Sequence, residues 1–137
     1  MNRSDLADLA APSLDDFAAL AQAALARLPE PFRSMAQDVR MHVADFAEPE
    51  LLEEMGIEDA FELTGVYSGV DLSRQSVLDP TPQPSTVVLF RRPILDEWSE
   101  RGDVTLGELI EHVLVHEIGH HFGLSDDDIH AAEDAPD

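Results

Sequence analysis

The sequence predicts an α+β fold in which a small twisted sheet packs against several helices. Two patterns carry this reading. Some stretches place apolar residues at helical spacing between clear start and stop signals, while only three short stretches lean towards β structure, too few for a barrel or a sandwich. The chain has 137 residues, the size of a single domain spanning 1–137, and 44% of them are hydrophobic, enough for one packed core.

The first helix is expected over 14–28: Ser13 and Asp16 can cap it, Phe17, Leu20, Ala21, Ala24 and Leu28 fall on one face, and Pro29 stops it. In "VRMHVADF", Val39, Met41 and Val43 alternate with Arg40, His42 and Ala44, the period of a strand with one buried face. A short helix follows in "PELLEEMG", opened by Pro49 and closed by Gly56. "FELTGVYSGV" is β-leaning but interrupted by Gly65 and Gly69, so it reads as an irregular or edge strand, whereas "STVVLF" reads as a better-buried one. The intervening "DLSRQSVLDPTPQP" is expected to be a loop. Pro93 can begin a short helix carrying Ile94, Leu95 and Trp98. Thr105 and Glu108 then form a T-x-x-E capping box for the last long helix, expected over about 106–122 and ended by Gly123.

Composition narrows the partners. Twenty-nine acidic residues against eight basic ones give a formal charge of −21, a field that repels nucleic acid and anionic membranes. Without cysteine, any metal must be held by His, Asp, Glu or carbonyl oxygen. The start "MNRSDLADLA" lacks a signal peptide pattern and no run is long enough to span a bilayer, so a cytoplasmic monomer is expected. The acidic stretch 129–137 reads as a solvated, frayed tail.

The chemistry concentrates in "HVLVHEIGHHFGLSDDD", from His112 to Asp128. On a wheel at about 100° per residue, Leu106, Leu109, Ile110, Val113 and Leu114 share one arc, and His116, Glu117 and His120 continue it. Ionisable side chains on a core-facing stripe cost several kcal/mol unless partnered, so the break in the apolar pattern marks a site. The break spells H-E-x-x-H: His116 and His120, one turn apart, can converge on one tetrahedral ion such as Zn²⁺, with Glu117 reaching a bound water. Gly123 can end the helix in a left-handed turn that brings Asp126 back as a third ligand, with Asp127 the nearest substitute. The same "SDDD" also reads as an N-cap serine followed by acids in the first turn of a short terminal helix.

The neighbours are assigned quieter roles. His112 falls towards the polar flank of the wheel, and His121 is expected to be packed or hydrogen-bonded near the helix end. Tyr67 reads as a half-buried sheet residue that could also face an oxyanion, and Arg91 and Arg92 as partners of structural ion pairs.

The full pattern H-E-x-x-H-x-x-G-x-x-D resembles the metal-binding motif of metzincin and related zincin metallopeptidases, with aspartate where many have a third histidine. "HEIGHHFGL", with "GVYSGVDL" and "LFRRPI" upstream, is more closely similar to the small bacterial minimal zincins. The resemblance implies a reduced zincin-like fold with the active-site helix under a short sheet. It also implies His116, His120 and Asp126 as zinc ligands, Glu117 as general base, and hydrolysis of peptide or protein substrates. The methionine turn of metzincins is missing, since the four methionines all precede the motif, and few residues follow Asp126 to wall a cleft. These departures favour the alternative of a zincin-fold binding or regulatory protein that holds metal with little turnover.

Overall fold

Helix α1, Leu14–Ala26, starts at a reciprocal capping box, in which the Ser13 hydroxyl accepts from the Asp16 N–H at 3.1 Å and the Asp16 carboxylate accepts from the Ser13 N–H at 2.9 Å. The computed structural model describes residues 10–68 and 85–134, leaving aside the side chains of Ser68, Asp126 and residues 132–134. α1 stops at Ala26, two residues short of the expected end, and Leu28 is carried beyond it into the core, fully buried. A one-turn helix α2, Phe32–Met35, buries Phe32; it is too short to leave a periodic signal.

Strand β1 (Arg40–Ala44) leads into α3 (Pro49–Met55), which has Pro at its first position and Gly56 at φ 69° as its left-handed end. A 3₁₀ turn, Ala60–Glu62, capped by Asp59, precedes β2 (Gly65–Ser68). β3 (Thr86–Phe90) runs directly into α4 (Arg91–Arg101). That helix begins two residues before Pro93, which sits within the first turn, where its missing N–H leaves no bond unmade.

The sheet order is β1-β3-β2, with β1 parallel and β2 antiparallel to β3. Among the described residues β2, expected to be an irregular or edge strand, lies at one edge of the sheet and β1 at the other, with β3 central. Alternation does the rest: Val87 and Leu89 of β3, with Met41, Val43 and Tyr67 beside them, face the main core, while Val66, Val88, Phe90 and Ala44 face a smaller cluster under α3. The expected loop 71–84 and Gly69 lie outside the described residues.

Arg91 and Arg92 anchor this frame. Arg91 donates to Asp45 at 2.7 Å and to the Pro12 carbonyl at 2.9 Å, tying the entry to α1 to the β1–α3 loop. Arg92 lies over the Phe46 ring at 5.8 Å, a cation–π contact, and among the described residues it makes no ion pair of the anticipated kind.

Helix α5, Leu106–His121, packs on α1 and the sheet, and all five residues of the expected apolar arc are buried. Thr105 accepts from the Glu108 N–H at 3.1 Å, and the Glu108 carboxylate accepts from the Thr105 hydroxyl at 3.0 Å. The helix ends in a Schellman motif: Gly123 at φ 84° donates to His120 and Leu124 donates to Gly119 at 2.9 Å.

The chain then starts α6, Asp126–Asp134, at a second reciprocal box, Ser125 with Asp128, both bonds 3.2 Å. This corrects the expectation of a frayed tail for 129–134. Ile129 is fully buried, and an apolar side chain driven into the core contributes about 1.5–3 kcal/mol towards docking this helix. No helix among the described residues is long and apolar enough to cross a membrane.

Candidate metal centre

The C-terminal half of α5 emerges from under the sheet as a helix with two buried sides. Val113 touches Gly65 of β2, while Gly119 meets α6: a Cβ there would stand 2.7 Å from Ile129 and 3.3 Å from Phe32. The buried face therefore turns from the sheet towards α6, through Val115, Ile118 and Gly119. This corrects the simple wheel. His116 and Glu117 are half-buried and His120 is exposed, so the ionisable arc lies at the rim of the core rather than within it.

His116 and His120 have ring centres 6.0 Å apart, and the Nε2 atom of His116 is buried. Two imidazoles on one tetrahedral ion have centres about 5 Å apart, given metal–nitrogen distances of about 2.0–2.1 Å, so a small side-chain adjustment brings this pair onto one ion. The donor chemistry fits as well: imidazole nitrogen and carboxylate oxygen, with no thiolate in the chain, suit Zn²⁺.

Glu117 lies beside the sheet, near the backbone N–H of Tyr67 on β2. Burial pushes its carboxyl above the ordinary carboxylate value, against the opposing pull of nearby His120 and of the Tyr67 N–H. The Tyr67 ring stacks on His121 at 3.7 Å and 15°, so β2 and the end of α5 are clamped together on either side of Glu117. His121 thus has the packing role expected of it. The Tyr67 hydroxyl is buried and has no hydrogen-bond partner among the described residues.

His112 tilts against His116 at 4.2 Å and 56°, closer than two imidazoles of one tetrahedral ion, which suits support of that ring better than ligation. A small cleft of about 170 Å³ opens beside them, between Thr64, Glu97, Arg101 and Glu117.

Asp126 is the first residue of α6, and its side chain lies outside the described ones. Of the two readings of "SDDD", the described residues show the N-cap: Ser125 caps the helix with Asp128 as its box partner, and Asp127 and Asp128 are exposed. Among the described residues no three His, Asp or Glu side chains form a complete metal cluster. One histidine escaped the sequence reading: His130 on α6 stands edge-on to His116, ring centres 5.6 Å apart at 85°. Its spacing of four residues from Asp126 was the available signal.

Two imidazoles one turn apart with a half-buried carboxylate between them are the side chains that the H-E-x-x-H pattern brings together on α5. Residues 36–135, a span holding the sheet and this whole site, match the family model of the zincin-like metallopeptidases, and the chain belongs to that family. No curated protein matches it.

Proposed function

We propose that the protein is a zinc-dependent peptidase in which His116, His120 and Asp126 hold the ion and Glu117 is the general base. The observation that carries this reading is the placement of half-buried Glu117 on α5 between His116 and His120, whose ring centres stand 6.0 Å apart. Family membership supports the same reading.

The ion, when bound, supplies Lewis-acid polarisation of a carbonyl and acidity to water. The chain's own residues do the rest. Glu117 takes a proton from the attacking water and returns it to the leaving amine nitrogen. A carboxyl whose proton affinity is raised by burial suits this shuttle better than an ordinary exposed glutamate. The Tyr67–His121 stack keeps β2 against α5 beside Glu117. As the sheet's edge, β2 is where an extended peptide can add as a further strand, and a charge of −21 favours basic or neutral peptides over acidic ones.

The test is a quenched-fluorescence peptide library incubated with zinc-loaded protein and with its Glu117→Gln variant. The proposal expects wild-type cleavage, and loss of turnover in the variant by at least about 100-fold with zinc content intact. A zinc-loaded wild type that cleaves no peptide, or a variant as active as wild type, would contradict it and leave a metal-holding binding protein as the better account.

A further inference from the structure

The small cleft beside Glu117 carries a guanidinium. It holds about 170 Å³ and lies between Thr64, which precedes β2, Glu97 and Arg101 at the end of α4, and His116 and Glu117 on α5. Pockets that enclose a whole small-molecule ligand measure about 300–1,000 Å³, so this one has room for the last residue or two of a chain rather than for a longer run. Arg101 is one of eight basic residues set against 29 acidic ones. In a field of that sign an anionic group settles at the site only where a cation receives it, whereas an ammonium is drawn in without one. Arg101 is held loosely: its Nε faces the Glu97 carboxylate at 3.3 Å, four residues back on the same helix, and the two side chains are 45% and 37% exposed. Exposed pairs of this kind are weak. One carboxylate occupies at most two of the five guanidinium donors, so a second carboxylate can share them.

Resting on the peptidase reading above, we infer that this cleft receives the carboxyl end of the substrate, with Arg101 binding its terminal carboxylate. The substrates are then short peptides, trimmed from their carboxyl ends. β2 sets the path. It leads from Tyr67, beside Glu117, back through Gly65 to Thr64 at the cleft, three residue steps and so about 10 Å of extended chain. A peptide lying along this strand with its scissile bond at Glu117 reaches the cleft within a few residues. There α5 closes on β2: a Cβ on Gly65 would stand 3.0 Å from Val113, which lines the cleft. A chain entering the cleft therefore ends in it rather than passing between strand and helix. Glu97 offers the opposite polarity, a seat for an amino end. Arg101 is favoured because it is the more exposed of the two, and because an amine needs no dedicated acceptor on a chain of charge −21.

Three alanine tetrapeptides tell the ends apart: N-acetylated with a free carboxyl end, N-acetylated and amidated, and amidated with a free amino end. Their binding to zinc-loaded Glu117→Gln protein, by chemical-shift titration, and their cleavage by the zinc-loaded wild type would be measured, each with and without Arg101→Gln. Arg101 is exposed, so circular dichroism of Arg101→Gln should match wild type. The free-carboxyl peptide should bind about 10-fold or more tightly than the doubly blocked one and exceed it similarly in kcat/KM, with both preferences lost in Arg101→Gln. Equal handling of free and blocked carboxyl ends, a preference that survives Arg101→Gln, or a wild type that cleaves library peptides but none of these would overturn the inference and leave the peptidase reading standing. Tightest binding of the free-amino peptide, abolished by Glu97→Gln, would overturn it in favour of an amino end. A wild type that cleaves no peptide at all would overturn the peptidase reading and this inference together.

Discussion

The two halves of α5 obey different rules. From Leu106 to Leu114 the helix is a core element: Leu109, Ile110 and Leu114 are essentially fully buried, against α1 and the sheet. From Val115 to His121 the helix keeps Val115, Ile118 and Gly119 for packing, and spends its other positions on His116, Glu117, His120 and His121. The first half is held by burial, with a capping box at its start. The second is held by neighbours: β2 through Tyr67, and α6 through Ile129. The difference teaches that this site is a surface assembled by two flanking elements on a helix whose other end provides the stability.

If so, damage to the first half should unfold the protein without altering the site. Leu114→Ala is expected to cost about 2–5 kcal/mol, seen as a lower midpoint in urea, while zinc affinity of the folded fraction stays at the wild-type value. Damage to the second half should do the reverse. Gly119→Ala places a methyl where Ile129 sits, so α6 must shift; a destabilisation of about 1–3 kcal/mol is expected, with weakened zinc binding by titration. Gly123→Ala, at φ 84°, costs about 1 kcal/mol in thermal melts for its left-handed backbone and loosens the same turn.

The smallest effect concerns charge. Burial raises the proton affinity of Glu117 in the folded chain, so the fold disfavours the charged form at neutral pH. The penalty is fully present above the raised folded value, and fades as pH falls towards the ordinary carboxylate range of the unfolded chain. Glu117→Gln should therefore melt higher than wild type when both are metal-free at pH 7, and the gap should close as pH falls to about 4. A gap that widened on acidification would mean that the carboxylate is stabilised rather than strained by its setting.

What could be read in advance follows from range. Ser13 with Asp16, Thr105 with Glu108, Pro49 with Gly56, and Gly123 all act within a turn of themselves, so their residues announced the helix ends. H-E-x-x-H was legible for the same reason. The parallel pairing of β1 with β3 depends on residues more than forty positions apart, and no local pattern encodes it. The depth of His120 was misjudged because a wheel assumes one buried side, whereas α6 supplies a second at Ile118 and Gly119. α6 itself was hidden by its composition: "SDDDIHAAED" is acidic enough to pass for a solvated tail, and a single isoleucine ties it to the core.

The most direct test of the account is metal content. Plasma mass spectrometry on tag-free protein would compare the wild-type chain with His116→Ala and Asp126→Ala after equilibration with zinc and gel filtration. The account predicts about one zinc per wild-type chain, lost in His116→Ala and reduced in Asp126→Ala. A wild-type chain that retains no zinc, or a His116→Ala chain that retains as much as wild type, would contradict the claim that the end of α5 is a metal centre.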